Sequence, residues 1–310
     1  MELPPFIECS PDDQNPFAKE FTPEEVWTRL HGCSNMAPGP DGIRFAQWKE
    51  MERGGYALNA VFNAVHRLGT IPQAWGKSVT IIIYKKREKS DILNWRPISL
   101  SNTIAKLYSS VLANRLGRWA ARNDRISAGQ NGFMPVDGYC EHNFALQAAI
   151  ADARRCRRQC CIARLDVTNA FRSVPHGTIF TSLQWAGLSE EASSVIRRLY
   201  TINTTNVRSH QGLTPEISIQ AGVKQGFPLS PIIFNLTLEP IIRAILQLGS
   251  GYSLYGESID VLAYADDLTF VSESPGGLQA MLDTAGRVAT WAGLTFNPKK
   301  CATLHIDGKR

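Results

Sequence analysis

The sequence lacks the marks of membrane, secreted and disulfide-stabilised proteins. No apolar stretch approaches the ~20 residues of a helical membrane span, and residues 1–21 contain none of the basic and apolar blocks of a secretory leader. The seven cysteines are odd in number and have no framework spacing, which favours a reducing compartment. Cys156, Cys160 and Cys161 lie close together but lack the second spaced pair of a zinc site. These absences predict a soluble, intracellular protein that is not secreted and has no membrane partner.

Strong charge of either sign is also missing. The 33 Lys and Arg residues exceed the 28 Asp and Glu residues by only 5, a surplus that is compatible with nucleic acid but does not require it. The chain has 310 residues, 44% hydrophobic and 20% charged, so it can form a sizeable core or two linked lobes. Composition therefore excludes general disorder and leaves the partner open.

Helical and extended patterns alternate irregularly along the chain, which favours an α+β fold over a doubly wound parallel sheet. The best marked helix has Thr22 as N-cap and Pro23 at its first position, with Glu25 completing a capping box and Gly32 at its end. The other predicted helices carry Leu100, Ile104, Leu107, Val111 and Trp119 at helical spacing, or cover residues 141–156, 175–187, 189–202, the apolar run before 246 and 276–292. Strands are predicted at 78–84, before Asp166, near 217, on both sides of Asp266 and within 293–306.

The segment VLAYADDLTF, residues 261–270, places two adjacent carboxylates, Asp266 and Asp267, at the tip of a predicted hairpin. Like charges this close repel, so a fold that keeps both ionised usually supplies a cation. Turns also favour Asp for local reasons that involve no metal. For an isolated pair the turn interpretation is the stronger one, and other residues have to decide.

Asp166 repeats the same local design, a carboxylate at the end of a short apolar strand. Strands of one sheet can bring such ends together. Three carboxylates at a sheet edge form an oxygen-rich site suited to Mg²⁺, which prefers carboxylates and substrate phosphates to a closed protein cage. Two such ions about 4 Å apart clamp the attacking and leaving oxygens of an in-line phosphoryl displacement.

Several motifs then occur in a recognisable order. The segments RLDVTNAF, AGVKQGFPLSP, LAYADDLTF and GLTFNPKKC resemble the palm motifs of reverse transcriptases. The upstream segments APGPDGI and WRPISLSNTIAKLYSSVLANRL resemble those of non-LTR (LINE-type) retrotransposons in particular. The match runs from Ala37 to Cys301, most of the chain, and motifs in the family's order are far more specific than one Asp-Asp pair.

The resemblance implies a right-hand polymerase fold, with an antiparallel palm sheet backed by helices and a fingers subdomain. Residues 1–63 would be an N-terminal extension with a template-contacting loop at 37–43, and residues 64–310 the reverse transcriptase domain, with fingers at about 64–160 and palm at about 161–310. Only nine residues follow Cys301, so we expect the thumb to be missing. The family's endonuclease and zinc modules, normally in the same polypeptide, are missing too, which suggests a truncated element or an incomplete gene sequence.

The implied activity is that of an RNA-directed DNA polymerase, with an RNA template, a DNA primer and dNTPs as partners. Asp166 and Asp266 would ligate two Mg²⁺ ions, for which Mn²⁺ could substitute, with Asp267 in support and the Val167 carbonyl completing the inner shell. The primer 3′-hydroxyl would attack the α-phosphate of the nucleotide and expel pyrophosphate. The nucleus is the expected location if the protein acts at genomic DNA.

The resemblance also implies residues that hold the nucleotide. Phe171 matches the steric gate that excludes a ribose 2′-hydroxyl, although it could be a core aromatic. Gln225 matches a glutamine that steadies the sugar and the template base pair, although it could be a polar turn residue.

Basic residues are implied at the triphosphate. Arg96 matches an arginine of the fingers, and a planar guanidinium suits phosphate. Its companion would be Lys86, or else Lys85, because the insertion before Trp95 leaves the choice open. Lys300 falls where the family has a lysine near the leaving pyrophosphate.

Gly39, Asp41 and Gly42 match a loop that touches the RNA template in this family, although a plain tight turn explains them as well. Two positions depart from the family's common pattern. Arg172 stands where Asp or Gly often follows the AF pair, and Phe227 replaces the Asp of QGDPLSP. Neither is a metal ligand, so we expect tuned activity rather than its loss.

Two other functions stay open on the sequence. A non-catalytic, retroelement-derived domain could bind nucleic acid without polymerising, although the three intact aspartates oppose decay. An RNA-dependent RNA polymerase shares the palm chemistry but tends to carry Gly before Asp-Asp and a smaller gate, so Ala265 and Phe171 favour deoxynucleotides. Incorporation of labelled dNTPs with Mg²⁺ separates the enzyme from the binder, and use of rNTPs separates the two enzymes.

Overall fold

A computed structural model describes residues 9–86 and 88–308 of the chain. The described residues form two compact units, each assembled from two chain segments. The first unit contains residues 9–122 and 187–232, and the second contains residues 123–186 and 233–308.

The regular elements follow one another irregularly, as predicted. The helices are α1 (Pro23–Gly32), α2 (Phe45–Met51), α3 (Tyr56–Leu68), α4 (Gln73–Gly76), α5 (Thr103–Arg122), α6 (Gly138–Cys156), α7 (Ala170–Ser173), α8 (His176–Trp185), α9 (Glu190–Thr201), α10 (Ser230–Leu246) and α11 (Pro275–Trp291). The strands are β1 (Lys77–Tyr84), β2 (Trp95–Ser101), β3 (Cys160–Asp166), β4 (Thr204–Ser209), β5 (Gly212–Leu213), β6 (Ile217–Ser218), β7 (Tyr252–Leu254), β8 (Glu257–Ile259), β9 (Val261–Tyr264), β10 (Asp267–Ser272) and β11 (Ala302–Ile306).

The start of α1 shows how local chemistry and tertiary contacts share one residue. The Thr22 hydroxyl accepts a hydrogen bond from the Glu25 amide, so the predicted N-cap is confirmed. The reciprocal half of the capping box is not made, because both Glu25 carboxylate oxygens accept hydrogen bonds from the Arg115 guanidinium on α5. This bidentate ion pair is mostly shielded from solvent and ties α1 to α5.

The sheet of the first unit has β1 at its centre. Strand β2 pairs with β1 in antiparallel register and β4 pairs with it in parallel register, while β5 and β6 pair with β4. The prediction that Leu100 begins the α5 pattern is wrong, because Leu100 lies in β2 opposite Val79 and α5 begins at Thr103. Ile98 and Leu100 of β2 are apolar as well, so the apolar spacing did not mark the boundary.

The second unit contains an antiparallel sheet in the order β11-β3-β10-β9. Helices α6 and α11 pack against it, and the prediction of an α+β fold with an antiparallel sheet backed by helices is confirmed. Cys160 and Ile162 form a buried cluster with Ala149 and Ala153 of α6. Side chains two apart on a strand share a face, so Arg164 and Asp166 lie on the same face of β3 as Cys160 and Ile162. Arg164 is exposed and Asp166 is half-buried. The part of this face that α6 shields from solvent therefore ends before Arg164.

Asp152 secures α6 to its neighbours. Its carboxylate accepts hydrogen bonds from the Tyr252 hydroxyl at 2.8 Å, Arg155 at 2.8 Å and Arg158 at 3.3 Å. Arg158 also pairs with Glu273. Arg155 and Arg158 at this helix end therefore pair with carboxylates of the second unit, and the helix dipole also favours cations at a helix C-terminus.

Candidate active site

The catalytic carboxylates predicted from the sequence meet at neighbouring strand ends. Asp267 lies directly opposite Asp166 where β10 pairs antiparallel with β3. Directly opposed residues of an antiparallel pair share a face of the sheet, with Cβ atoms roughly 5 Å apart. The structure thus brings Asp166 beside the Asp-Asp pair across a long stretch of intervening chain.

Asp266 occupies the tight turn between β9 and β10. Tyr264 pairs with Asp267, which leaves Ala265 and Asp266 as a two-residue loop. Ala265 has a φ of 55°, in the left-handed region that the favoured hairpin turns require and that non-glycine residues adopt at a cost. The turn directs the chain so that Asp266 is half-buried while Asp267 is exposed.

Burial and neighbouring charge act together on Asp266. Burial raises the pKa of its carboxyl, the Asp267 and Asp166 carboxylates raise it further, and a backbone hydrogen bond and Lys300 oppose the rise. This is the pattern of a carboxylate held among like charges in a partly shielded site.

Two cations face the aspartates. Lys300 Nζ lies 2.9 Å and 3.2 Å from the two carboxylate oxygens of Asp166, and Arg164 Nη2 lies 3.2 Å from Asp267 Oδ1. Within residues 9–86 and 88–308, no group of three or more His, Cys, Asp or Glu side chains is arranged as a metal-ligand set. The side chains of Asp166 and Asp267 are turned toward their cations instead.

Val167, whose carbonyl the resemblance assigns to the metal site, directly follows β3. Val167 is buried and pairs with Phe296 as an isolated antiparallel bridge. The flanking hydrogen bonds run from Thr168 N to Thr295 O and from Asn297 N to Asp166 O. No described residue donates a hydrogen bond to the Val167 carbonyl, so its lone pairs are free for another partner.

A short turn presents Lys300. Asn297 accepts hydrogen bonds through its carbonyl from Lys300 N and through its side chain from Lys299 N. Both lysines are exposed, but only Lys300 reaches Asp166. The contact with Asp166 therefore distinguishes Lys300 from Lys299, whereas in the sequence only the position within the family motif distinguished them.

Phe171 is half-buried in a row of aromatic rings. It stacks on Phe234 of α10, with ring centroids 4.1 Å apart and planes at 18°, and meets Phe133 edge-on at 5.6 Å. Phe234 is fully buried and Phe133 is exposed. The ring is thus held from one side by the core, and Phe171 lies within α7, four residues after Val167.

The other predicted nucleotide ligands lie in the first unit. Arg96 is exposed on β2 opposite Ile83, and Lys85 and Lys86 are exposed just after β1. Gln225 is half-buried in the loop before α10. Phe227 in the same loop is buried, and its ring centroid lies 5.6 Å from the buried Lys224 Nζ.

The predicted template loop is built against the start of α5. Asn102 Oδ1 accepts a hydrogen bond from Asp41 N, Gly42 N donates to Gly39 O, and Ile43 N donates to Asp41 Oδ1. A Cβ at Gly39 would lie 2.3 Å from Asn102 N, so glycine is needed there for close approach. Asp41 and Gly42 are exposed.

Sequence reasoning missed two residues of the site. Arg164 pairs with Asp267, and alternation along β3 from Asp166 could have indicated it. Gln130 hydrogen-bonds the backbone of Ala265 from a distant loop. Nothing in its local sequence signals that contact.

Strand order, covering helices and the carboxylate-bearing hairpin define the palm of a right-hand polymerase. Among solved structures, apo telomerase from Candida tropicalis truncated of its C-terminal domain superposes with a TM-score of 0.57 over 85% of this chain and 56% of that chain, at 12% identity. A second apo telomerase structure from Candida tropicalis gives 0.55 over 88% of this chain and 50% of that chain, at 10% identity. Likeness at these identities shows the fold alone.

Residues 84–308 match the family model described as reverse transcriptase (RNA-dependent DNA polymerase). The chain belongs to this family, as the motifs indicated.

The curated relatives include Pol polyproteins of retrotransposable elements. The chain is 31% identical to the retrovirus-related Pol polyprotein from type-1 retrotransposable element R2 of Nasonia vitripennis, covering 89% of this chain and 26% of that protein. For the R2 protein of Popillia japonica the identity is 31%, over 91% of this chain and 39% of the relative. For the R2DM protein of Drosophila melanogaster the identity is 30%, over 89% of this chain and 25% of the relative. The chain is thus similar to the reverse transcriptase domain of non-LTR retroelements and spans a quarter to two fifths of these relatives.

None of the helices within residues 9–86 and 88–308 combines the length and the apolar character needed to cross a bilayer.

Proposed function

We propose that this chain catalyses RNA-directed DNA synthesis by two-metal-ion nucleotidyl transfer. The observation that carries the proposal is the register of Asp166 opposite Asp267, with Asp266 in the adjoining turn, on the part of the sheet face that α6 does not cover. Neighbouring carboxylates in a half-exposed position repel one another unless a cation is present.

The donor set fits Mg²⁺, with Mn²⁺ able to substitute. The carboxylates of Asp166, Asp266 and Asp267 and the free Val167 carbonyl are all hard oxygen donors, and no imidazole or thiol belongs to the set. When bound, two such ions supply the positive charge that stabilises an in-line displacement at phosphorus. In this role Asp166 and Asp266 are the principal ligands and Asp267 supports them.

The chain's own residues then orient the reactants. The primer 3′-hydroxyl would lose its proton to solvent as its oxygen forms a bond to the α-phosphorus of the dNTP, while the bond from that phosphorus to the bridging oxygen breaks and pyrophosphate leaves. Lys300, which already lies against Asp166, would donate a proton to the leaving pyrophosphate. Phe171, backed by the buried Phe234, would exclude a 2′-hydroxyl.

The remaining roles rest on the resemblance. Arg96 and Lys86 would bind the triphosphate, and Gln225 would steady the sugar and the base pair. Gly39, Asp41 and Gly42 would contact the RNA template, with a DNA primer as the strand extended. Action at genomic DNA would place the protein in the nucleus.

The test is template-dependent incorporation on a poly(rA)·oligo(dT) primer-template with labelled dTTP and Mg²⁺. Wild type should extend the primer and Asp166→Asn should not, whereas Asp283→Asn, a change at an exposed aspartate of α11, should leave extension intact. Binding of primer-template by wild type without any extension, at saturating protein and with either Mg²⁺ or Mn²⁺, contradicts the proposal and supports a nucleic-acid-binding domain. Preference for UTP over dTTP supports an RNA polymerase.

A further inference from the structure

The Gln130 side chain makes three hydrogen bonds, two of them to the turn that carries Asp266. Its Oε1 accepts hydrogen bonds from Ala265 N at 2.9 Å and from Gly132 N at 2.9 Å, and its Nε2 donates to Ala265 O at 3.3 Å. The side chain is 1% exposed, so these bonds form without competition from water. One amide group therefore holds both the N–H and the C=O of the residue that precedes Asp266.

Ala265 needs such support. At a φ of 55° it adopts a conformation that costs a non-glycine residue about 1–2 kcal/mol. Because the loop has only two residues, a change in the backbone dihedrals of Ala265 rotates the peptide group between Ala265 and Asp266. An amide that bonds to both sides of Ala265 opposes that relaxation.

The segment that carries Gln130 is itself tied to the hairpin. Gln130 pairs in parallel with Ala263 of β9, through hydrogen bonds from Ala263 N to Gly129 O at 2.7 Å and from Asn131 N to Ala263 O at 2.9 Å. A Cβ at Gly132 would lie 2.1 Å from Ala265 N, so only glycine lets the segment approach this closely. From α10, Asn235 donates to the Gly132 carbonyl at 2.8 Å.

We propose that Gln130 is a positioning residue that sets the orientation of Asp266 for metal binding. An amide suits the task because it supplies a donor and an acceptor together and adds no charge beside three carboxylates. A glutamate would keep the acceptor, lose the donor and add a fourth like charge. The inference rests on the proposed function for its catalytic consequence, but the effect on the turn does not depend on it.

The first test uses the full chain with Gln130→Ala. Amide hydrogen exchange of residues 261–272 should accelerate, and the dissociation constant for Mn²⁺, measured by electron paramagnetic resonance of the free ion, should rise. In primer extension kcat should fall about 10-fold to 100-fold, since small misplacements of a catalytic group have effects of this size, while KM for dTTP should change little. Gln130→Glu should behave like Gln130→Ala.

Two further variants separate positioning from general stability. Ala265→Gly in the Gln130→Ala background should restore part of the Mn²⁺ affinity and of kcat, because glycine adopts the left-handed conformation without a steric cost. Ser272→Ala removes a buried hydrogen bond to Ser250 O at the opposite end of β10. It should lower the free energy of unfolding but leave Mn²⁺ affinity and kcat near those of wild type.

Unchanged exchange of residues 261–272 in Gln130→Ala overturns the inference, as does a loss of Mn²⁺ affinity that Ser272→Ala reproduces. A wild-type chain that extends no primer refutes the proposed function alone, because the exchange and Mn²⁺ measurements still decide the role of Gln130. If wild type binds no Mn²⁺ either, the exchange measurement decides it.

Discussion

Asp166, the last residue of β3, lies directly opposite Asp267, the first residue of β10. Strand pairing places the two side chains on one face, and the hairpin adds Asp266 immediately beside them. Without a bound ion, Lys300 and Arg164 partly neutralise this charge. At the proposed metal site, binding of an ion would compete with these two ion pairs.

Asp266 and Asp267 should differ in importance. Asp266→Asn should lower kcat for primer extension by about 10³-fold, because it removes a principal ligand of the ions that stabilise the transition state. Asp267→Asn should cost less, since Asp267 is 52% exposed and pairs with Arg164. Single-turnover extension measures both effects, with Arg164→Gln as the control that breaks the same pair from its other side. Equal losses in the two aspartate variants would contradict the assignment of ligands.

Lys300→Gln should have two effects of opposite sign. Without the ammonium that lies 2.9 Å from Asp166, Mn²⁺ should bind the nucleotide-free protein more tightly. Synthesis should nevertheless slow by about 10²-fold, the usual cost of removing a general acid. Mn²⁺ titration and single-turnover kinetics give the two quantities. Lys299→Gln is the matched control and should extend the primer at nearly the wild-type rate. If it is as slow as Lys300→Gln, the loss of positive surface charge explains both effects and Lys300 has no specific role.

Phe171→Ala should admit ribonucleotides. The ring would no longer fill the space that a 2′-hydroxyl needs, so the ratio of kcat/KM for dTTP over UTP should fall by about 10-fold or more. Competitive incorporation on one primer-template measures that ratio. Phe133→Ala is the control, because it removes the exposed ring that meets Phe171 edge-on. Its ratio should stay above that of Phe171→Ala. Unchanged discrimination in Phe171→Ala would identify Phe171 as a core aromatic.

Lys224 should make stability depend on pH. It is 5% exposed, and burial together with Lys106 lowers its pKa to about 8. The unfolded chain binds this proton up to about pH 10.5, so between pH 8 and 10.5 the unfolded state holds more protons and stability rises with pH. As the pH rises across that window, the contribution of Lys224 to the free energy of unfolding should increase by about 3 kcal/mol. Below pH 8 this contribution should not change with pH.

Urea denaturation of wild type and Lys224→Met at pH 8 and pH 10 tests this effect, because other groups titrate equally in both proteins. The difference in slope is the contribution of Lys224. Phe227→Asp, which restores the family's common carboxylate near the ammonium, should raise the pKa of Lys224 and reduce the slope. Parallel pH profiles for wild type and Lys224→Met would contradict the prediction.

Gly39→Ala should disturb the predicted template loop. The new methyl group would lie 2.3 Å from both Asn102 N and Asn102 Oδ1, and we expect a loss of about 1–3 kcal/mol in the free energy of unfolding. Affinity for poly(rA) should fall as well. Gly117→Ala in α5 is the control, since a Cβ there meets nothing within 4 Å and alanine favours a helix by about 0.5–1 kcal/mol. Wild-type stability in Gly39→Ala would show that the loop shifts freely.

Much of the secondary structure followed from local patterns. The caps and apolar spacing of α1, α6, α9 and α11, the strand β1 and the Asp-Asp hairpin all appear close to their predicted positions. Strand β2 was not recognised because it runs directly into the helical pattern of α5, and it is held by pairing with β1. The β4–β5 hairpin was not recognised because it is polar, and β4 is held by pairing with β1. The predicted division into extension, fingers and palm is linear along the chain and stays a prediction.

The sequence by itself determined the family and the α+β class and singled out the three carboxylates as candidates, because these depend on residue types in a fixed order. Only the tertiary structure decided which residues face them. Arg164 and Lys300 reach the aspartates, and Gln130 reaches Ala265 beside them, through strand register and loop packing. Such contacts join residues distant in the chain, and their energies depend on burial and geometry that exist only after folding.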